Sequence, residues 1–241
     1  MESANPTFSE KTFQQAGQGQ LISADEAMTV SGTINKTGIL FLILLLGASI
    51  SWYQPSPLFI WGGAIGGFIL AMVTIFKKEW SPTTAPIYAG LEGLFLGGIS
   101  VMYASAYNGI VFNAVLLTMG VFAAMLFAYK SGLIQVTKRF RMGVVAATGG
   151  IFLVYLASFI LGFFGINISL IQGSGLMGIG FSFIIVGVAA LNLVLDFDMI
   201  DKGAEAGAPK YFEWYTSFGL IVTLVWLYIE ILRLLSKFQR R

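Results

Sequence analysis

The chain contains no cysteine and no histidine. Those two absences together remove disulfides, thiol nucleophiles, thiolate or imidazole metal sites and the serine–histidine catalytic pair. Charge is scarce as well. Asp, Glu, Lys and Arg make up 11% of the 241 residues, where a soluble domain carries about 25%. What remains is apolar: 56% of residues are hydrophobic and the mean hydropathy is +0.81. The composition is that of a polytopic membrane protein, and the length suits one compact bundle. The net charge of +2 says little by its size. Its distribution along the chain says more.

Residues 1–33 are polar, rich in Gly, Gln, Ser and Thr, and hold no apolar run. The first apolar stretch begins too late for a secretory signal peptide. We read 1–33 as a polar cytoplasmic tail and 34–241 as the membrane domain. Apolar runs follow at 38–53, 58–76, 85–103, 110–129, 143–164, 176–200 and 215–235. A spanning helix needs about 20 residues, so the short first run must borrow 34–37, with Lys36 snorkelling to the interface. The runs are continuous rather than alternating, which favours helices over a barrel. The expected fold is an all-α integral membrane protein, a seven-transmembrane helix bundle.

Basic residues mark alternate connections. Lys11 and Lys36 precede the first run, Lys77 and Lys78 follow the second, Lys130, Lys138, Arg139 and Arg141 lie between the fourth and fifth, and Lys202 and Lys210 lie between the sixth and seventh. The connections at 54–57, 104–109 and 165–175 hold no Lys or Arg. By the positive-inside rule the N-terminus is cytoplasmic. Seven spans then place Arg233, Lys237, Arg240 and Arg241 outside, whereas a re-entrant last helix would return every basic residue to the inside. We favour a full span, because 215–235 is long and its second half has no Gly or Pro.

Small residues point to close helix packing. Gly62, Gly63, Gly66 and Gly67 form two overlapping GxxxG patterns, and Gly93 and Gly97 form another. Gly173, Gly175 and Gly178 match a dinucleotide-binding spacing, but no strand precedes them and they open a membrane helix, so the match is accidental. Trp52, Trp61, Trp80, Tyr103, Tyr129 and Trp214 fall near span ends, as interfacial anchors do.

Three carboxylates lie within the apolar runs: Glu92 in APIYAGLEGLFLGGISVMY, Asp196 near the end of the sixth run and Glu230 in LIVTLVWLYIEILRLL. A charge at such depth costs at least about 3 kcal/mol on insertion scales, so it pairs, faces water or becomes neutral. These residues are the candidate site. Little else on the chain is chemically reactive, and an intramembrane aspartyl protease would need two facing catalytic Asp in defined motifs that are not visible. We expect no enzymatic activity, no cofactor and no nucleic-acid partner.

The segment ALNLVLDFDMIDKGAEAGAPKYFEWY, the IEILRLL ending and Glu92 in YAGLEGLFLG together resemble the Bax inhibitor-1 (transmembrane Bax inhibitor motif) family. The opening SANPTF and the later MTVSGTINKTGILFL resemble a bacterial branch with an extended N-terminal tail. The resemblance covers essentially the whole membrane region. It implies a bundle with the last helix central, a multi-pass location in the bacterial cytoplasmic membrane, and a proton-sensitive calcium leak. It also implies an Asp on the sixth helix pairing with an Asp on the seventh, and a cation at the end of the second helix that latches the closed state. Asp196 matches the sixth-helix Asp. Lys77, with Lys78 beside it, falls near the latch position, as Lys rather than the better bidentate Arg.

The seventh-helix Asp has no counterpart: one alignment places Thr223 there and another Glu230. Depth separates them. Asp196 lies about 6 Å from the inner end of its helix, Glu92 roughly 10 Å, Thr223 about 12 Å and Glu230 about 22 Å. Glu92 is therefore the candidate second acid, with Thr223 as a polar neighbour, and Glu230 pairs with Arg233 three residues on. Structural readings stand beside these. Glu92 serves equally as a hydrogen-bond hub, Asp196 as a cap beside Asp198 and Asp201 at the membrane interface, and Lys77 and Lys78 as topology determinants. Two function classes remain: a pH-gated leak for calcium, a hard cation that prefers carboxylate and carbonyl oxygens, and a non-conducting membrane regulator that binds another membrane protein, a protease or a stress-response factor.

Overall fold

The computed structural model describes residues 26–165, 171 and 173–240. Most of the polar tail expected over 1–33 lies outside the described residues, as do Lys11, Arg241 and part of the 165–175 connection. Among the described residues seven helices are long and apolar enough to cross a membrane. They are α1 (Val30–Tyr53), α2 (Pro57–Phe76), α3 (Ser81–Ala106), α4 (Ile110–Lys130), α5 (Lys138–Phe163), α6 (Leu176–Glu205) and α7 (Phe212–Gln239). A 3-10 turn, Lys78–Trp80, leads into α3. No strand occurs among the described residues. The only sheet-like pairing there is one isolated antiparallel bridge, Ala27 with Pro209. The protein is a multi-pass helical membrane protein.

The helix starts carry ordinary chemistry. Thr29 caps α1 by accepting from the Gly32 N–H at 2.9 Å. Ser56 caps α2 with Pro57 at its first position, and Thr137 caps α5 by accepting from Phe140 N. Such caps satisfy N–H groups that have no intrahelical partner. Gly109 precedes α4 at φ 71°, a left-handed conformation that glycine adopts without a Cβ penalty. The helices overrun the apolar runs at several ends. α6 continues to Glu205 and α7 begins at Phe212, because a helix keeps satisfying its own backbone into the interface while polar side chains take over its surface.

By contacts the chain divides into two compact units: Met1–Ser105 with Asp196–Val222, and Ala106–Leu195 with Thr223–Arg241. In the first unit α1, α2 and α3 approach closely at glycines. A Cβ on Gly47 would lie 2.5 Å from the Gly90 carbonyl oxygen, and one on Gly63 would lie 2.5 Å from the Leu91 carbonyl oxygen. Gly62 has nothing within 4 Å, and a Cβ on Gly66 would meet only the Leu91 side chain, at 3.0 Å, so of the two overlapping GxxxG pairs on α2 it is Gly63 that faces the α3 backbone. Thr74 and Thr84 hydroxyls share a 2.7 Å bond between α2 and α3. Tyr88 packs edge-on against Phe218 of α7 with ring centroids 4.9 Å apart.

In the second unit polar links join the helices. Asn192 of α6 donates to the Thr148 hydroxyl of α5 at 2.8 Å. Lys237, near the end of α7, donates to the Gly178 carbonyl at 2.9 Å and the Ser182 hydroxyl at 2.8 Å near the start of α6. Large apolar side chains on α5, among them Phe152, Phe159 and Phe163, are exposed and face lipid, which covers such a surface as readily as protein does. Trp52, Trp61 and Trp80 are exposed too, in keeping with interfacial anchoring. The buried share of the most apolar stretch is 72% in α7 and 56% in α6, against 11% in α5.

Candidate functional site

Asp196 lies in the last third of α6 and is buried, 1% exposed. The surrounding residues of α6, Leu193, Val194, Leu195 and Phe197, are buried with it. Asp198, two residues on, is mostly buried and accepts from Lys202 at 2.8 Å, one helical turn later. Glu92 lies on α3 in the same unit, half-buried. Its carboxylate occupies the space in front of Gly67 on α2, where an added Cβ would meet the Glu92 Oε2 at 2.7 Å. A glycine at 67 is thus what admits the acid between α2 and α3.

Lys77 and Lys78 follow α2 directly. The Lys77 N–H caps α2 by donating to the Val73 carbonyl at 2.7 Å, and its side chain is exposed. The Lys78 ammonium stands 5.6 Å above the centre of the Tyr215 ring on α7, a cation–π placement. One cation at the end of α2 therefore reaches the first turn of the last helix, in the same unit as Asp196 and Glu92. Lys36 does not simply snorkel, as its sequence position suggests. It bonds the Glu213 carboxylate of α7 at 2.5 Å.

The second unit holds Thr223 and Glu230. Thr223 is buried. Glu230, 2% exposed, pairs with Arg233 at 3.1 Å, as the three-residue spacing implies. The pair has a third member that sequence reasoning missed. The Tyr155 hydroxyl of α5 donates to both Glu230 oxygens at 2.9 Å, and Arg233 bonds the same hydroxyl while its guanidinium stacks over the ring, 4.9 Å from the centroid. A tyrosine in the middle of GIFLVYLASF was the available signal, because a phenol in an apolar run needs a partner.

Glu213 was missed altogether, though it draws bonds from three residues. It is fully buried and accepts from the Thr29 N–H at 2.9 Å, the Thr29 hydroxyl at 3.0 Å, Lys36 at 2.5 Å and Lys210 at 3.1 Å. Its place in the first turn of α7 also suits a negative charge at a helix N-terminus. In the sequence it looks like a solvated residue of a polar loop. The partners that bury it, Thr29 and Lys36, are 184 and 177 residues away.

A family model described as Bax inhibitor 1 like matches residues 5–240, essentially the whole chain. No curated protein matches the chain.

Proposed function

This chain belongs to the Bax inhibitor 1 like family, and from that premise we propose that it is a pH-sensitive calcium leak of the membrane, gated by protonation of buried carboxylates. The observation that carries the reading is the pair of acids held within membrane-crossing helices of one unit, Asp196 buried on α6 and Glu92 against Gly67 on α3. Carboxylates at such positions mark ion or proton pathways, and they supply the hard oxygen ligands that calcium takes. Two such groups titrate as a coupled pair where they approach one another, and the reading requires that approach in the closed state. In this reading the protonated pair packs closed. Deprotonation sets like charges against each other, loosens the packing and attracts a cation. Lys77 or Lys78 supports the closed state from the end of α2, and Asp198 stands as a further polar group toward the ion path.

With no histidine in the chain, a response near neutral pH falls to the carboxylates. Tyr211, in the connection before α7, does not compete, because burial and the neighbouring Glu79 push its phenol above its usual range. We place the protein in the bacterial cytoplasmic membrane, N-terminus inside, with the polar residues ahead of α1 on the cytoplasmic side; the helix itself begins at Val30, inside the 1–33 expected as tail.

The test is calcium flux through liposomes holding the purified protein, across a pH series. Flux should rise as pH rises through the transition. Asp196→Asn should flatten that dependence, and loss of the lysine should raise flux at every pH. An unchanged profile in Asp196→Asn would remove the gating role. A wild type that passes no calcium at any pH would favour the non-conducting regulator.

A further inference from the structure

The only extended pairing among the described residues sits where the chain enters its first helix. The Ala27–Pro209 bridge and the Met28 N–H bond to the Ala208 carbonyl, 2.7 Å, lay residues 26–29 along the connection between α6 and α7. Met28 and Ala208 are both buried there. Lys210 reaches back to the Ala27 carbonyl at 3.4 Å. Three of the bonds to Glu213 described above, two from Thr29 and one from Lys36, then tie the start of α1 to the first turn of α7.

None of this is needed to start α1. Thr29 already caps that helix through its own hydroxyl and the Gly32 N–H. The bonds from Glu213 are additional, and they join two segments far apart in sequence. The joined connection is the direct continuation of α6. Eleven residues past Asp196 stands Gly207, in the left-handed conformation at φ 64°, and Glu213 follows six residues later. A clamp on 206–213 therefore restrains the end of the helix that carries Asp196 and Asp198.

We propose that Glu213 is a positioning residue that fastens residues 26–29 as a strap over the α6–α7 connection, and that the fastened strap holds the leak closed. The second clause rests on the leak reading above; the first does not. The strap couples the polar N-terminal extension to the conductance, so whatever pulls on that extension changes the flux.

The absence of cysteine makes the test clean. In Ala27→Cys/Pro209→Cys the only thiols are those of the bridge, and residues facing each other across an antiparallel pair stand about 4.5–5.5 Å apart at Cα, within what a disulfide spans. Calcium flux is read with the bond oxidised and reduced. Glu213→Gln keeps the shape of the side chain, and the lysines it releases are 20% and 49% exposed, so neither ammonium is sealed from water; the crosslink in the wild-type background reads the strap without that substitution. Its flux should exceed wild type severalfold. Oxidising the engineered pair in the Glu213→Gln background should return flux to the wild-type level, a rescue that a merely structural role would not give. Formation of the crosslink with flux unchanged in both backgrounds overturns the closing role.

Amide hydrogen exchange tests the fastening without flux. Glu213→Gln should speed exchange at Met28, Thr29 and Thr33 by about tenfold or more, the scale of a lost charged hydrogen bond, while α5 is unaffected. Unchanged exchange at those amides overturns the strap. A wild type without flux at any pH removes the leak reading and the closing role together, and the exchange result still decides the fastening.

Discussion

Glu230 shows at the scale of one residue how this protein tolerates charge inside its helices. The carboxylate is buried, yet a guanidinium three residues on and a phenol from α5 satisfy both oxygens. Removing one member leaves the others uncompensated, which for a buried ion pair costs about 3–5 kcal/mol. Glu230→Gln should therefore lower thermal stability strongly, and Tyr155→Phe should cost less, about 1–3 kcal/mol for one buried hydrogen-bond partner. Because the groups act together, Glu230→Gln combined with Arg233→Leu should cost less than the sum of the single changes. Thermal unfolding in detergent of the single and double variants checks this, and strict additivity would show that the triad is not a unit. The spacing of Glu230 and Arg233 made their pairing legible from the sequence. Tyr155 was not, because 75 residues separate it from Glu230 and no periodicity links them.

Between helices, the glycines set the distances. Gly93 on α3 faces the backbone of α1, where an added Cβ would stand 3.0 Å from the Ala48 nitrogen and tighter still against the Leu44 carbonyl. Gly150 on α5 has nothing within 4 Å. Gly93→Ala should destabilise by roughly 1–3 kcal/mol, the usual cost of overpacking. Gly150→Ala should be neutral or stabilise by up to about 1 kcal/mol through helix propensity. Comparing midpoints of thermal or denaturant unfolding for the two variants reads the difference, and equal effects would mean that helix separation is not set at Gly93. Gly93 belongs to a GxxxG pattern and Gly150 to a Gly-Gly pair in the sequence. Only the packing of α1 on α3 distinguishes a glycine that is required from one that is merely present.

For the molecule as a whole, the orientation follows from charge. Three alternate connections carry no Lys or Arg, so the N-terminus is expected inside. α7 is one unbroken helix of 28 residues, roughly 42 Å at 1.5 Å per residue, which is long enough to cross a hydrocarbon core of about 30 Å. A C-terminus outside is the expected outcome. A reporter fused after Arg241 that is active only in the cytoplasm would instead require the last helix to re-enter. The buried contact of Lys237 with Gly178 and Ser182 gives that end a cation held by protein, so it does not count as a free topology charge.

What the sequence determined alone is whatever depends on near neighbours and on composition. Seven apolar runs long enough for lipid dictate helices, because a backbone in lipid must satisfy itself. The scarcity of charge singles out Glu92, Asp196 and Glu230. Three-residue spacing pairs Glu230 with Arg233. The tertiary structure alone decided which distant groups meet. Glu213 reads as a loop acid until Thr29 and Lys36 close over it, and Glu92 reads as a second acid for Asp196 with no sign of the glycine, Gly67, that makes room for it. Lys36 reads as a snorkelling residue until its ammonium finds Glu213. A buried charge selects its partner by position in space and by the cost of leaving water, and neither is written in the separation of two residues along the chain.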